Sequence, residues 1–109
     1  NLKDLVSYLN TDPRFFDASA TDSYSKEAAG KTEKTLIVDV WYKGKVTPFI
    51  AQTIYRDVAS TTLSSVTNIK EFTYLNVKIS SRYYLGLYSY NQSNTYSGSI
   101  DDWRTKLSE

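Results

Sequence analysis

One acid stands apart among the residues able to carry chemistry: Asp39, set between Val38 and Val40 in the run TLIVDVWYK, residues 35–43. An acid inside a β-branched stretch belongs to a sheet rather than to open water. Burial there raises a carboxyl toward general-acid use, whereas a cation on the neighbouring strand pairs with it. Lys78 is the expected partner, and the pair is the favoured reading. The other groups that catalysis draws on are absent or explained. The chain holds no His, Cys or Met, so imidazole bases, thiol nucleophiles, thiolate metal sites and disulfides are excluded. Asp12, Asp17 and Asp22 recur at a spacing that fits no calcium loop. Asp101-Asp102 suits the positive end of a helix dipole. The four glycines are scattered, so no phosphate-binding loop is present. No enzymatic activity, cofactor or metal is expected.

Binding is better represented. Four of the ten tyrosines fall within RYYLGLYSYNQ, residues 82–92. Tyrosine and tryptophan offer wide, rigid contact area with a polar tip, which suits a protein, a peptide or the flat ring of a glycan. The candidate binding residues are Trp41, Tyr74, Tyr84, Tyr88 and Tyr90, with Lys78 and Asp39 among them. Gly86 would leave a slot between Tyr84 and Tyr88. RNA-recognition folds also stack bases on aromatic residues of a β-sheet, but their basic-Gly-aromatic order is missing from RYYLGLYSY. With a formal net charge of +1 there is little attraction for phosphate, and nucleic acid is not an expected partner.

These side chains must be positioned by strands and helices that the periodicity marks out. Leu2, Leu5, Val6 and Leu9 lie at helical spacing, and Thr11-Asp12-Pro13 ends that helix. Phe15-Phe16 needs a pocket. The polar stretch 17–34 reads as a surface excursion with a turn of helix around Lys26 to Ala29, stopped by Gly30. TLIVDVWYK is a strand. Thr47-Pro48 caps a helix running to about Val66, with Ile50, Ile54, Val58 and Leu63 on its apolar face and Asn68 as its C-terminal cap. EFTYLNVKI and RYYLGLYSYN are strands joined through Ser80-Ser81, an antiparallel hairpin. NQSNTYSGS reads as a loop, and Ser99 with Asp102 opens a last short helix carrying Trp103 and Leu107.

The expected fold is therefore α+β: a small mixed three-stranded sheet of split β-α-β type, order 1-3-2, with one long helix across one face and short terminal helices. Residues 1–109 form a single domain, since a chain of this length supports one core. Alternation divides the sheet. Leu36, Val38, Val40, Tyr42, Leu75, Val77, Ile79, Tyr83, Leu85 and Leu87 form an aliphatic face beneath the helix. Ile37, Asp39, Trp41, Phe72, Tyr74, Asn76, Lys78, Tyr84, Gly86, Tyr88 and Tyr90 form an aromatic one. The terminal helices are the natural cover for the aromatic face.

No apolar run approaches the length of a spanning helix. A first residue other than Met points to a removed upstream segment, which leaves room for an upstream anchor. Together with the absence of oxidisable sulfur and the Ser/Thr/Asn/Lys/Tyr-rich composition, this suggests a secreted or envelope-associated bacterial protein. The expected function is a non-enzymatic interaction module that meets a protein, peptide or glycan through the aromatic face. The alternative is a structural domain with that face buried.

Overall fold

The computed structural model describes residues 2–26 and 32–108, the side chains of 24–26 and 32 excepted. Helix α1, Leu2–Asn10, follows its apolar spacing and buries Leu5 and Leu9. It ends where expected, with the Thr11 amide and hydroxyl both donating to the Tyr8 carbonyl, at 3.1 and 2.6 Å. Helix α2, Pro48–Ser65, starts on the expected cap: the Thr47 hydroxyl accepts from the Ile50 amide at 3.2 Å, and Pro48 fills the first turn. The chain leaves α2 at Val66 rather than at Asn68, which instead opens a single 3-10 turn, Ile69–Glu71. That turn carries Ile69 and Phe72 into the core, so Phe72 is not a sheet-face residue. Helix α3, Ile100–Leu107, opens on Ser99, whose hydroxyl accepts from the Asp102 amide at 3.0 Å.

The sheet differs from the expected one. It has four strands, β1 (Phe15–Lys26), β2 (Thr32–Lys43), β3 (Tyr74–Leu85) and β4 (Tyr88–Ser99), in the order β1-β2-β3-β4. A three-stranded sheet of order 1-3-2 is thereby overturned. β2 and β3 pair directly and in parallel through the α2 crossover, and each carries an antiparallel partner on its outer side. Two strands escaped sequence reading because they are edges. Residues 17–26 of the polar stretch are most of β1 and residues 32–34 open β2, and NQSNTYSGS is the last three-quarters of β4. The turn of helix expected from Lys26 to Ala29 lies outside the described residues except for Lys26, which closes β1.

The hairpin turn also moves. Ser80-Ser81 is interior to β3, 2% and 0% exposed, and the two hydroxyls donate to Asp39 Oδ1 at 3.2 Å and to Gln92 Oε1 at 3.5 Å. A buried serine is tolerated in a strand once its hydroxyl has an acceptor. The turn falls at Gly86-Leu87, with φ +63° at Gly86 and no positive φ at Leu87, the glycine-first pattern of a type II′ hairpin. Leu85 pairs with Tyr88 across it.

At the centre of the molecule, Leu36, Val38 and Val40 pair in register with Leu75, Val77 and Ile79, and all six are fully buried. All three helices cover this one face: Leu5 and Leu9 from α1, Ile54 and Val58 from α2, and Trp103 from α3 join a single cluster with those strands. Arg14 ties the α1 corner to α2 by hydrogen bonds to Asp12 and, at 2.8 Å, to Asp57. Those bonds from Arg14 hold the Asp12 carboxyl below its ordinary value. The stabilisation is therefore present above the unfolded value and is lost as pH falls through the lower folded one. Trp103 locks α3 down. Its indole N–H donates to the buried Leu75 carbonyl at 2.8 Å, and a Cβ at Gly98 would lie 3.4 Å from that nitrogen.

Trp103→Ala should cost about 3–5 kcal/mol in urea unfolding, the range for emptying a buried aromatic site. Trp103→Phe, which keeps a ring but drops the N–H, should cost about 1–2 kcal/mol. An unchanged stability in Trp103→Phe would show that the hydrogen bond contributes nothing, and equal losses for the two variants would show that the ring contributes nothing beyond it.

Candidate functional site

The face opposite the helices has no helix over it among the described residues. Alternation along β2 and β3 turns Ile37, Asp39 and Trp41, then Tyr74, Asn76, Lys78, Ser80 and Tyr84, to that side. The terminal helices, expected to cover it, lie on the other side. α1 packs on β1 and α2, and α3 on β3, β4 and α2. Their apolar stripes are narrow, with two buried residues each. A four-stranded sheet has width for short helices on both flanks of α2, so those stripes extend the existing core instead of founding a second one.

The centre of the open face is built from β1 and β2 together. Phe15 and Phe16 take opposite sides by ordinary alternation, and the bulge between Phe15 and Asp17 brings both Phe16 and Asp17 beside Trp41. Phe15 enters the core. Phe16 stays half exposed, its ring 5.7 Å from that of Trp41 and tilted by 44°. The sequence marks the Phe15-Phe16 pair, but which member faces the core follows only from the pairing of Phe15 with Tyr42. Ser19 and Thr21 continue the surface opposite Asp39 and Ile37.

Asp39 stands directly across the parallel ladder from Lys78, as expected of a cross-strand charge pair. Its carboxyl is nonetheless pushed above the ordinary value. Burial is the largest cause, only partly offset by the Lys78 charge and the Ser80 hydroxyl, and Asp17 adds a small push in the same direction. Among the described residues, no group of three or more acids could hold a metal.

The candidate binding residues therefore separate. Asp39 and Lys78 face each other at the middle of the open face with Trp41 two residues on, whereas Tyr74 stands at the start of β3, about 20 Å from the Trp41 row; all four are half-buried, and Tyr84 lies beyond the end of β2 pairing. Tyr88 and Tyr90 do not join them. With the chain reversed at Gly86-Leu87, both fall opposite Leu85 and Tyr83, on the helical side of the sheet. Their place is a ribbon tip. β2 pairing ends at Arg82, so β3 and β4 run on as two strands with Tyr83 and Tyr90 stacked at 5.3 Å. Tyr84, Leu85 and Tyr88 are 67%, 61% and 71% exposed there, and Leu87 is fully exposed. Leu85 and Leu87, expected in the core, are thus at the tip, and Gly86 shapes a turn rather than a slot. The larger concavities, up to about 510 Å³ beside Ile69 and Ile100, border the helical layer.

Among the described residues no helix is long and apolar enough to cross a membrane. Comparison with protein-family models, curated proteins and solved structures returned no match.

Asp39→Asn should raise thermal stability at neutral pH, because it removes a charge that the fold disfavours while keeping an acceptor for Ser80. The folded state holds its proton more tightly than the unfolded chain, so this advantage shrinks as pH falls toward the ordinary aspartate value of 3.8. Melting curves of both proteins across pH 4 to 8 test this. An unchanged or lower melting temperature at neutral pH would show that the Lys78 attraction outweighs burial.

Proposed function

We propose that this chain is a non-enzymatic interaction module whose open sheet face receives a protein surface. The observation that carries the reading is the one-sided helical layer, which leaves Phe16, Ile37, Trp41 and Tyr74 on a face that no helix covers among the described residues. The Phe16–Trp41 ring pair, with Asp39, Lys78, Asn76, Ser19 and Thr21 beside it, sets apolar contact area among polar groups, as in a protein contact. The broad sheet suits a protein surface better than a small ligand, which would need a concave site. Opposite charges at Asp39 and Lys78 give the face orientation without net attraction for a polyanion. The chain's lack of oxidisable sulfur supports extending the proposal to an extracytoplasmic bacterial setting.

A photo-crosslinking side chain at Ile37, in the bacterium that produces the protein, should yield a discrete protein adduct. The same probe at exposed Gln52 on α2 should yield none. Trp41→Ala should remove the Ile37 adduct while leaving the fold intact, since a central tryptophan typically contributes about 2 kcal/mol or more, roughly a thirtyfold loss of affinity. An Ile37 adduct indifferent to Trp41, or no adduct at all, rejects the reading. Trp41-dependent retention on a glycan array would replace the protein partner with a glycan.

A further inference from the structure

The two edges of the sheet are built differently. β1 carries the bulge at Phe15/Asp17 and the acids Asp17 and Asp22, devices that discourage an added strand. β4 has neither. Its twelve residues, YSYNQSNTYSGS, include no charge and no proline, and its ladder to β3 runs without a register shift. The two-residue turn also determines which backbone groups remain free. Leu85 and Tyr88 flank it and exchange both hydrogen bonds, so by alternation the even-numbered residues of β4 bond to β3. Ser89, Asn91, Ser93, Thr95 and Ser97 then aim their N–H and C=O groups at the free edge.

From this edge we infer that β4 pairs with β4 of a second copy of the chain, antiparallel about a two-fold axis at Ser93. The two four-stranded sheets then form one continuous sheet with both helical layers on the same side. The outward set maps onto itself about this axis. Ser93 faces Ser93, Asn91 faces Thr95 and Ser89 faces Ser97 of the second copy, while Ser99, as the N-cap of α3, turns its carbonyl into that helix and stays out of the ladder. On the helical side the same register sets Tyr90 against Tyr96 and Tyr88 against Gly98, at the closely spaced positions of the ladder. Gly98 has no side chain to obstruct Tyr88, and because the Trp103 ring already covers it, 3.4 Å from where a Cβ would sit, Tyr88 would lie beside the glycine rather than over it. Beside Gly98 lies a concavity of about 360 Å³, bordered by Tyr96, Asp102, Trp103 and Lys106, which would receive the ring of Tyr88.

Self-pairing also supports what the single chain leaves bare. Beyond Arg82 the hairpin is a two-stranded ribbon, an arrangement of marginal stability in water, and the second copy supplies its third strand. A strand without charge meets its own copy without repulsion. The open face stays uncovered in the dimer, so this inference stands or falls separately from the proposed function.

Sedimentation of the full chain at about 100 µM should show a dimer, the range in which an interface of modest area associates. Ser93→Glu and Ser93→Lys should each be monomeric, with dissociation constants raised at least about tenfold by like charges facing across the axis. Their equimolar mixture should dimerise again. Because the Ser93 amide faces away from β3, circular dichroism should be unchanged. If either variant lost that spectrum, Tyr88→Ala at the exposed tip, expected to weaken the dimer about tenfold, would carry the test. A monomeric wild type, a dimer indifferent to these substitutions, or a mixture that stays monomeric would overturn the inference.

Discussion

The parallel contact between β2 and β3 organises everything else in this protein. Leu36, Val38 and Val40 meet Leu75, Val77 and Ile79 in register, and these six side chains form the centre of the single core that all three helices join. Parallel strands cannot be joined by a tight turn, so the crossover α2 is obligatory, and its apolar face belongs in that core. The short stripes of α1 and α3 then gain most by widening the same core. One consequence is a sheet with a dry side and a side without a helix among the described residues.

The other consequence is the pair of edges. With β2 and β3 central, β1 and β4 are outer strands, and each exposes one line of backbone groups. β1 is kept apart by acids and a bulge, while β4 is uncharged, continuous and extended past the support of β2. The two candidate interaction surfaces thus have one origin. The open face is what the helices leave, and the β4 edge is what the strand order leaves.

Asp39 shows how the open face differs from ordinary surface. It lies opposite Lys78, yet burial raises its carboxyl more than that charge lowers it. Neighbouring rings and strands have removed enough water to make a charge costly, in keeping with a face partly closed before any partner arrives.

Local patterns alone determined the three α-helices, the caps at Thr47 and Ser99, the end of α1, and the identity of β2 as a buried strand. They also placed Trp41, Asp39, Tyr74, Lys78 and Tyr84 on one face, because alternation is a property of the strand itself. What they could not determine was set by partners distant in the chain. Ser80-Ser81 is turn-like in sequence and became strand because Asp39 and Gln92 supply acceptors. β1 and β4 lack apolar alternation because an edge strand needs few core contacts, so only their pairing identifies them. The side taken by Tyr88 and Tyr90 was set by the hairpin pairing: a two-residue turn puts its flanking residues Leu85 and Tyr88 on one face, so even-numbered residues of β4 share the helical side with odd-numbered residues of β3. Whether the terminal helices would cover the aromatic face was likewise decided in three dimensions, where extending one core buried their stripes without a second layer.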